Sequence, residues 1–275
     1  MTRYKTLRYL FFALLLVSVT ACEKEPIPTY IHIPYITVKS AAGVGSTSSN
    51  ISNAWVYING QVQGVYELPA TFPVLASGET EIGIYAGIKL NGISNTRAPY
   101  PFYNQDIVTL DLEAGATDTI YPEVSYVGAA EYALLEDFEL SNAFSQLERT
   151  SAAGEVFEGI FSAKVVLDTA SITRVVSSER FSIPRGTTAA FVELDYKSNQ
   201  AFTAGINAYQ DGQGLGIEKV VVNPQSEWNK IYFNFTPEVN NLQADEYEVV
   251  FSIDTSNVSG TVNVLFDNIK LIYFQ

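Results

Sequence analysis

The chain has very little of the three residue types that carry most metal and thiol chemistry. Of its 275 residues only one is Cys, one is His and one is Met. The single cysteine, Cys22, excludes an intrachain disulfide. One histidine, His32, cannot form the cluster of histidines and cysteines that holds zinc or another soft metal, but a calcium site built from oxygen ligands stays open. Ser-His-Asp catalysis would depend on His32 alone.

Basic residues are also scarce, with 16 against 30 acidic residues and a formal charge of -14. Arg3, Lys5 and Arg8 supply three of the basic residues. Because no acid precedes Cys22, the rest of the chain keeps 13 basic against 30 acidic groups, or -17. Such a surface repels the phosphate backbone of DNA and RNA. We therefore expect no nucleic-acid partner.

The abundant residues favour β-structure. Hydrophobic residues make up 47% of the chain and charged residues only 17%, with 17 Tyr and 16 Phe. Aromatic and β-branched side chains are typical of strands, and we find no stretch of helical period in the first half. The length suits one large domain or two small ones. The composition therefore predicts an all-β protein.

The first 22 residues have the order of a secretory signal. A basic head is followed by an apolar run over residues 10–17 and by small residues before Cys22. The run is too short to span a bilayer, which takes about 20 apolar residues. The sequence VTAC resembles the lipobox of bacterial lipoproteins. That resemblance implies that residues 1–21 are a cleaved signal peptide and that Cys22 carries fatty acid, such as palmitate, and anchors the protein to a membrane.

Residues 22–30 predict a short tether. Charged residues and two prolines in EKEPIP are typical of an extended spacer. A charged patch directly after the cysteine also resembles the surface-export signals of Bacteroidetes-type lipoproteins. This resemblance implies the outer membrane, facing the cell surface, whereas the plain alternative is a solvated tether.

Residues 31–127 predict a first β-sandwich. A strand over residues 31–38 contains Pro34, which favours a sheet edge. Asn59–Gly60 and Asn91–Gly92 are strong hairpin turns because both positions tolerate positive φ. An apolar strand, an Asn-Gly turn and a proline-led return over residues 56–84 resemble PEGA-like and other immunoglobulin-like surface domains. This resemblance implies a spacer or adhesion module.

One loop of this domain is unusually aromatic. Arg97, Tyr100, Phe102 and Tyr103 lie in a proline-broken stretch. Aromatic rings beside an arginine can form a ligand platform or a protein interface. The alternative is a loop held to its own domain, or to the second domain, by buried rings.

Residues 128–275 predict a second sandwich. Eight or nine strands in about 145 residues fit a jelly roll. Its opening EDFE, a Gly-x-x-Ser-Ala-x-Val element over residues 159–165, the pair Glu227-Trp228 and a final FDNI strand resemble jelly-roll carbohydrate-binding modules. The resemblance implies glycan binding and one structural calcium ion. By position, its candidate ligands are Asp137, Glu139 and Asp267.

Alternation along two strands of this domain predicts ligand contacts. With Ala204, Ile206 and Ala208 on the apolar face, Asn207 and Tyr209 point outward. By the same reasoning Tyr232 and Asn234 point outward from residues 230–235. Amides and tyrosine rings suit the hydroxyls and C–H faces of sugars. The alternative is that Tyr is simply a good strand former on a wet face.

Two further patterns have weaker implications. The glycine-rich residues 211–216 predict a flexible loop, since a phosphate cradle would need a following helix. The carboxylate pairs Glu136 with Glu139, and Glu155 with Glu158, have the chemistry of a glycosidase, but an acid-rich chain produces such pairs by chance.

Three functions follow in order of preference. The first is a non-catalytic, membrane-anchored lipoprotein that binds polysaccharide through its C-terminal jelly roll. The second is a structural or adhesion lipoprotein that contacts another envelope protein through the aromatic loop. The third is a glycoside hydrolase.

Overall fold

The computed structural model describes residues 25–39, 41–168 and 171–275. Within these ranges the regular secondary structure is β-strand apart from one short helix, so the predicted all-β class is confirmed. The strands build two β-sandwiches. No helix in the described ranges has the length and apolar character needed to cross a membrane. Cys22, the predicted lipidation site, lies outside the described residues.

The N-terminal sandwich contains ten strands. They are β1 (Thr29–Ile33), β2 (Thr37–Val38), β3 (Asn53–Ile58), β4 (Gln61–Glu67), β5 (Ala70–Val74), β6 (Gly78–Lys89), β7 (Arg97–Pro99), β8 (Asp106–Leu112), β9 (Thr117–Thr119) and β10 (Glu123–Val124).

These strands pair into three sheets. One has the order β5-β1-β9, a second pairs β2 with β10, and the third has the order β4-β3-β6-β7 with β8 also paired to β6. The Asn59–Gly60 hairpin forms as predicted, with Ile58 opposite Gln61. At Asn91–Gly92 a turn with positive φ forms, but residues 90–96 together connect β6 to β7, because Lys89 pairs with Arg97. The predicted edge strand is wrong. Strand β1 is the central strand of its sheet, since β5 and β9 pair on its two sides. It ends at Ile33, so Pro34 lies outside the pairing and does not interrupt it.

The C-terminal sandwich contains the other ten strands and one short helix. They are β11 (Ala130–Glu136), β12 (Leu147–Thr150), β13 (Ser162–Val165), β14 (Ile172–Val176), β15 (Ala190–Ser198), β16 (Phe202–Gln210), β17 (Gln213–Val222), β18 (Gln225–Asn234), α1 (Thr236–Leu242), β19 (Glu246–Asp254) and β20 (Val264–Phe274).

A six-stranded and a four-stranded sheet make up this sandwich. The larger has the order β12-β13-β20-β15-β18, with β11 also paired to β20, and the smaller has the order β14-β19-β16-β17. Their inner faces enclose a fully buried core that includes Leu194, Phe202, Phe251 and Phe266. Each sheet therefore has an outer face whose side chains alternate with the core residues.

The predicted flexible loop at residues 211–216 is mostly strand. Asp211 and Gly212 alone form the turn, both with positive φ, and pairing resumes at Gln213 opposite Gln210. Two-residue turns of this kind join adjacent antiparallel strands. The glycines at 214 and 216 therefore belong to β17 and lie in the small sheet.

The aromatic loop of residues 97–103 joins the two sandwiches. Tyr100 and Phe102 are buried, and the Tyr100 ring lies 5.4 Å from that of Phe191 and 4.9 Å from that of Tyr232. Phe102 contacts Phe274 with ring centroids 4.6 Å apart. The interpretation of a loop held to the second domain by buried rings is therefore confirmed. These rings are not available to an external ligand or protein.

Candidate functional site

The outer face of the four-stranded sheet carries a polar cluster that is open to solvent. Ala204, Ile206 and Ala208 of β16 are buried in the core, so Asn207 and Tyr209 project from the opposite face. The register places Asn207 directly opposite Glu248 of β19. Asn207 Nδ2 donates to Glu248 Oε2 at 2.9 Å, and the Tyr209 hydroxyl donates to the same oxygen at 2.8 Å.

Two arginines complete this cluster. The Arg174 guanidinium donates to Asn207 Oδ1 at 3.1 Å, and Arg180 Nε donates to Glu248 Oε1 at 3.3 Å. Burial raises the pKa of Glu248, but hydrogen bonds from Asn207, Tyr209 and Arg180 outweigh it and leave the pKa below its usual value. Glu248 is therefore an ionised acceptor at neutral pH.

The Tyr209 ring itself is not a free stacking surface. The Arg180 guanidinium lies 3.6 Å from the ring centroid, in cation–π geometry. On the neighbouring strand, a Cβ at Gly214 would come within 2.8 Å of the ring, so the ring lies against a position without a side chain. Tyr209 thus holds Arg180 and Glu248 in place. The sequence had predicted that its ring would stack on a sugar, but the ring is not free to do so, and other groups would have to contact the ligand.

Beside the cluster lies a depression that we call the glycine trough. Gly205 and Gly216 leave it open: a Cβ at Gly205 would overlap the Ile217 carbonyl oxygen, and one at Gly216 would lie 3.1 Å from Asn207 Oδ1. Its volume is about 190 Å³. The side chains around it are those of Arg174, Asn207, Glu218, Val250 and Ser252, among others.

The groups around the glycine trough suit a sugar ring. A guanidinium, an amide, a carboxylate and a hydroxyl surround it, and Val250 adds a buried apolar contact. Hydroxyls of a sugar donate to carboxylates and accept from amides and guanidinium groups, while its C–H face packs on apolar surface. The trough therefore has the donors, acceptors and apolar floor that a small polyhydroxylated ligand requires.

The other two predicted ligand residues lie on a different sheet. Tyr232 and Asn234 belong to β18 in the six-stranded sheet, and Tyr232 is only 1% exposed. Its hydroxyl accepts a hydrogen bond from Asn50 N at 3.0 Å, and Asn234 N donates to Asn91 Oδ1 at 2.9 Å. The prediction that Tyr232 faces solvent is wrong, because the N-terminal sandwich covers it, whereas Asn234 is half-buried beside Asn91.

The covered face contains a buried charge network. Glu193 is fully buried, accepts hydrogen bonds from the hydroxyls of Tyr100 and Tyr126, and lies 3.3 Å from Lys230 Nζ. Burial pushes the pKa of Glu193 up, but Lys230 and Lys270 together hold it below its usual value. The carboxylate is therefore ionised between two sandwiches.

A loop of the N-terminal sandwich completes this network. Ser48 Oγ donates to Asp195 Oδ1 at 2.6 Å, and Asp195 lies 3.6 Å from Lys230 Nζ. Lys270 Nζ donates to the Ser46 carbonyl oxygen at 2.8 Å. Burial lowers the pKa of Lys270 to about 8, against the opposing pull of Glu193. Asp195 and Lys270 thus both meet partners from the N-terminal sandwich.

The three predicted calcium ligands do not form a set. Asp267 is buried and accepts from Ser162 Oγ at 2.5 Å and from Asn268 N at 2.8 Å. Asp137 is exposed and accepts from Glu139 N at 3.1 Å. Within the described ranges no group of three or more His, Cys, Asp or Glu side chains could hold a metal ion. The residues present therefore do not fit the expected ion.

Glu139 has protein partners instead. Its Oε1 accepts from Ile160 N at 2.8 Å and from Phe161 N at 3.0 Å, and these bonds lower its pKa. The Arg149 guanidinium donates to the Glu139 carbonyl oxygen at 2.6 Å and stacks 4.0 Å from the Phe161 ring. The Arg149 guanidinium thus lies beside the loop where the resemblance implied a bound calcium ion.

The carboxylate pairs of the hydrolase interpretation also have structural partners. Glu136 is buried and accepts from the backbone N–H groups of Phe138 and Ala143, each at 2.7 Å. Glu155 pairs with Lys164 at 2.5 Å, and this contact comes first among those that lower its pKa. Both carboxylates hold loops of the C-terminal sandwich together.

Sequence reasoning missed Arg174, Glu248 and the two trough glycines. Alternation could have found Glu248, since Tyr247 and Val249 on either side of it are buried. The position of Gly216 opposite Asn207 depends on the β16–β17 register. That register became readable only once residues 211–212 were recognised as a turn.

Comparison with known proteins gives structural neighbours only. No protein-family model matches the chain, and no curated protein matches it. A search of solved structures finds the CBM22-1 xylan-binding domain of Paenibacillus barcinonensis Xyn10C, with 10% identity and a TM-score of 0.41 over 54% of this chain and 98% of that domain.

Two further neighbours also contain carbohydrate-binding modules. TmCBM61, solved with β-1,4-galactotriose, is 12% identical, with a TM-score of 0.36 over 53% of this chain and 99% of that one. The CBM22-1–GH10 modules of Clostridium thermocellum xylanase 10B, solved with xylohexaose, are 13% identical with a TM-score of 0.40, and the match covers 53% of this chain but 29% of theirs. The site described above rests on the side chains of this chain alone.

Proposed function

We propose that this protein is a lipid-anchored surface protein that binds glycan, without catalysis, in the glycine trough of its four-stranded sheet. The observation that supports binding there is the depression left by Gly205 and Gly216 beside the ionised Glu248 cluster. The lipobox-like Cys22 supports the anchor. The strong negative charge of the remaining chain keeps such a tethered protein soluble.

The charge cluster is suited to binding rather than to acid–base chemistry. Glycosidases of the usual kind need one protonated and one ionised carboxyl group on either side of the scissile bond. Glu248 is ionised and is engaged by Asn207, Tyr209 and Arg180. Glu218, the other carboxylate of the trough, is exposed to solvent. These contacts support a role for the cluster in hydrogen bonding to a ligand.

Affinity gel electrophoresis against a panel of soluble polysaccharides tests the binding proposal. We expect at least one neutral polysaccharide to retard the wild-type protein, and Asn207→Ala and Glu248→Gln to weaken that binding about tenfold. The matched control is Asp111→Asn, which removes one exposed charge from β8 of the N-terminal sandwich. Equal mobility of the wild-type protein in gels with and without every polysaccharide would reject glycan binding.

Labelling with radioactive palmitate tests the anchor separately. We expect the wild-type chain to incorporate label and to fractionate with membranes in a bacterial host. Cys22→Ser should abolish both properties, whereas Ser18→Ala, within the same segment, should not. A Cys22→Ser protein that still incorporates palmitate would contradict the assignment.

A further inference from the structure

A second cleft lies where the two sandwiches meet, away from the glycine trough. We call it the inter-sandwich cleft, and its volume is about 440 Å³. Both sandwiches supply its walls. The N-terminal side includes Lys89, Asn91 and Ile93, and the C-terminal side includes Val221, Asn223 and Gln225.

The Asn91–Gly92 turn builds one wall of the cleft. Asn91 N donates to the Tyr232 carbonyl oxygen at 2.9 Å, so the turn extends the six-stranded sheet beyond its edge strand β18. Gly92 has a φ of +70°, and a Cβ there would come within 2.9 Å of Ile231 Cδ1. The positive φ favours glycine at this position, and the turn packs against Ile231 of the other sandwich.

The charged side chains that line the cleft are all basic, in a protein whose charge is strongly negative. The chain has 30 acidic residues, yet neither Asp nor Glu lines the cleft, whereas Lys89 and Lys230 both do. Lys230 is offset by Glu193 and Asp195 behind it, at 3.3 and 3.6 Å. Lys89 has no ion pair or side-chain hydrogen bond with any described residue. Its ammonium group is therefore the cation of the lining that is left for a ligand.

The remaining lining has the mixed character of a sugar-binding surface. The amide side chains of Asn223 and Gln225 are exposed at the mouth of the cleft. Val221 and Ile93 expose 63% and 44% of their surface and provide apolar contacts. Amides beside apolar side chains match the hydroxyls and C–H groups of a sugar chain. A hydroxylated ligand that also carries a negative charge would use every group of this lining.

We propose that the inter-sandwich cleft binds an acidic sugar chain, in which a carboxylate or sulfate group pairs with Lys89 and the hydroxyls meet the amides of Asn223 and Gln225. This site does not depend on the glycine trough, because the two share no residue. Both sandwiches are needed to form it, which gives the N-terminal sandwich a role in binding.

The acidic surface does not exclude such a ligand. At physiological ionic strength the Debye length is about 8 Å, so exposed carboxylates farther from the cleft are largely screened. A direct contact with Lys89 is shorter than this length and persists. Binding should still weaken as salt rises from about 50 mM to about 500 mM, because the pairing is electrostatic.

Three probes test the proposal: polygalacturonate, a sulfated galactan and neutral xylan. We expect the full chain to bind at least one acidic probe, and Lys89→Gln to weaken that binding about tenfold. Asn223→Asp, which adds a negative charge at the mouth, should weaken it as well. Lys39→Gln is the matched control, since Lys39 pairs with Glu123 elsewhere on the N-terminal sandwich and should leave affinity unchanged.

The outcomes separate this proposal from the trough. Binding to polygalacturonate alone, or to the sulfated galactan alone, supports the cleft and identifies the charged group. Asn207→Ala should leave binding to the acidic probe intact, and Lys89→Gln should leave binding in the trough intact. The proposal is overturned if neither acidic probe binds, or if Lys89→Gln and wild-type proteins bind the acidic probe equally.

Discussion

The two sheets of the C-terminal sandwich have outer faces with the same sequence pattern, but one face is open to solvent and the other is covered. Each places a tyrosine and an asparagine outward from a strand, Tyr209 with Asn207 and Tyr232 with Asn234. The face around Tyr209 is open and lies beside the glycine trough, whereas Tyr232 is 1% exposed beneath the N-terminal sandwich.

The difference lies in how the charges on each face are neutralised. On the open face, Glu248 keeps part of its surface in solvent and pairs with the partly exposed guanidinium of Arg180. On the covered face, Glu193 and Lys230 are both removed from water and depend on each other. Buried charges are costly unless they are paired and hydrogen-bonded, so the charges of the covered face depend on their partners for stability.

The largest expected effect comes from breaking the buried network. Glu193→Ala leaves Lys230 buried with only Asp195 as a partner and should lower the free energy of unfolding by about 3–5 kcal/mol. Glu218→Ala is the matched change on the open face and should cost less than about 0.5 kcal/mol. Urea unfolding followed by fluorescence measures both.

The two tryptophans make this experiment more informative. Trp55 lies in β3 of the N-terminal sandwich and Trp228 in β18 of the C-terminal sandwich. Loss of the network should separate their unfolding transitions, because the sandwiches then unfold independently. Equal stability of the Glu193→Ala and Glu218→Ala variants would show that the covered face is not held by its charges.

The next effect concerns the pH dependence of the six-stranded sheet. Burial raises the pKa of Asp267 to about 7, despite the hydrogen bonds from Ser162 and Asn268. The folded state therefore holds a proton that the unfolded chain has lost, so this contribution to stability is full below about pH 4 and is lost as pH rises toward about 7. A shift of this size corresponds to at most about 4 kcal/mol.

Asp267→Asn should remove this pH dependence. The amide keeps the shape of the protonated acid and does not titrate, so the variant should gain stability over wild type between pH 4 and pH 8. Urea unfolding at about pH 4 and about pH 8 measures the difference. A constant difference between the two proteins at both pH values would contradict the raised pKa.

The sequence predicted the strands well because their signals are local. Alternation and Asn-Gly turns located most strands, and the buried sides of β16 and β18 are the predicted ones. The Asn-Gly pair also predicted the turn at residues 91–92. What alternation cannot say is what lies above a face, since that depends on contacts between residues far apart, such as Asn50 with Tyr232.

Contacts that the sequence does not reveal also explain why the three predicted calcium ligands do not form a set. Asp137, Glu139 and Asp267 were assigned from their positions in strands that resemble those of a known family. Each of these carboxylates instead accepts a hydrogen bond from a nearby donor, as Glu139 does from the backbone N–H groups of Ile160 and Phe161. Such local partners compete with a metal ion, and sequence position alone does not reveal them.

A smaller effect should distinguish the two tyrosines directly. Tyr232→Phe leaves the buried N–H of Asn50 without an acceptor and should cost about 1–3 kcal/mol. Tyr209→Phe removes a donor from the partly exposed Glu248, which water can replace, and should cost less than about 1 kcal/mol. Thermal unfolding of the pair measures the contrast, and equal costs would mean that coverage of the face contributes nothing to the difference.

The smallest expected change in stability comes from filling the glycine trough. In Gly216→Ala the new methyl lies 3.1 Å from Asn207 Oδ1, which a small rotation of the amide accommodates, so the free energy of unfolding should change by less than about 1 kcal/mol. Affinity for the polysaccharide that binds wild type should nevertheless fall about tenfold, because the methyl occupies the space of the ligand. Gly128→Ala, whose methyl meets no atom within 4 Å, is the control and should bind normally. Unchanged affinity in Gly216→Ala would show that the ligand does not bind in the trough, although this face of the sheet is open to solvent.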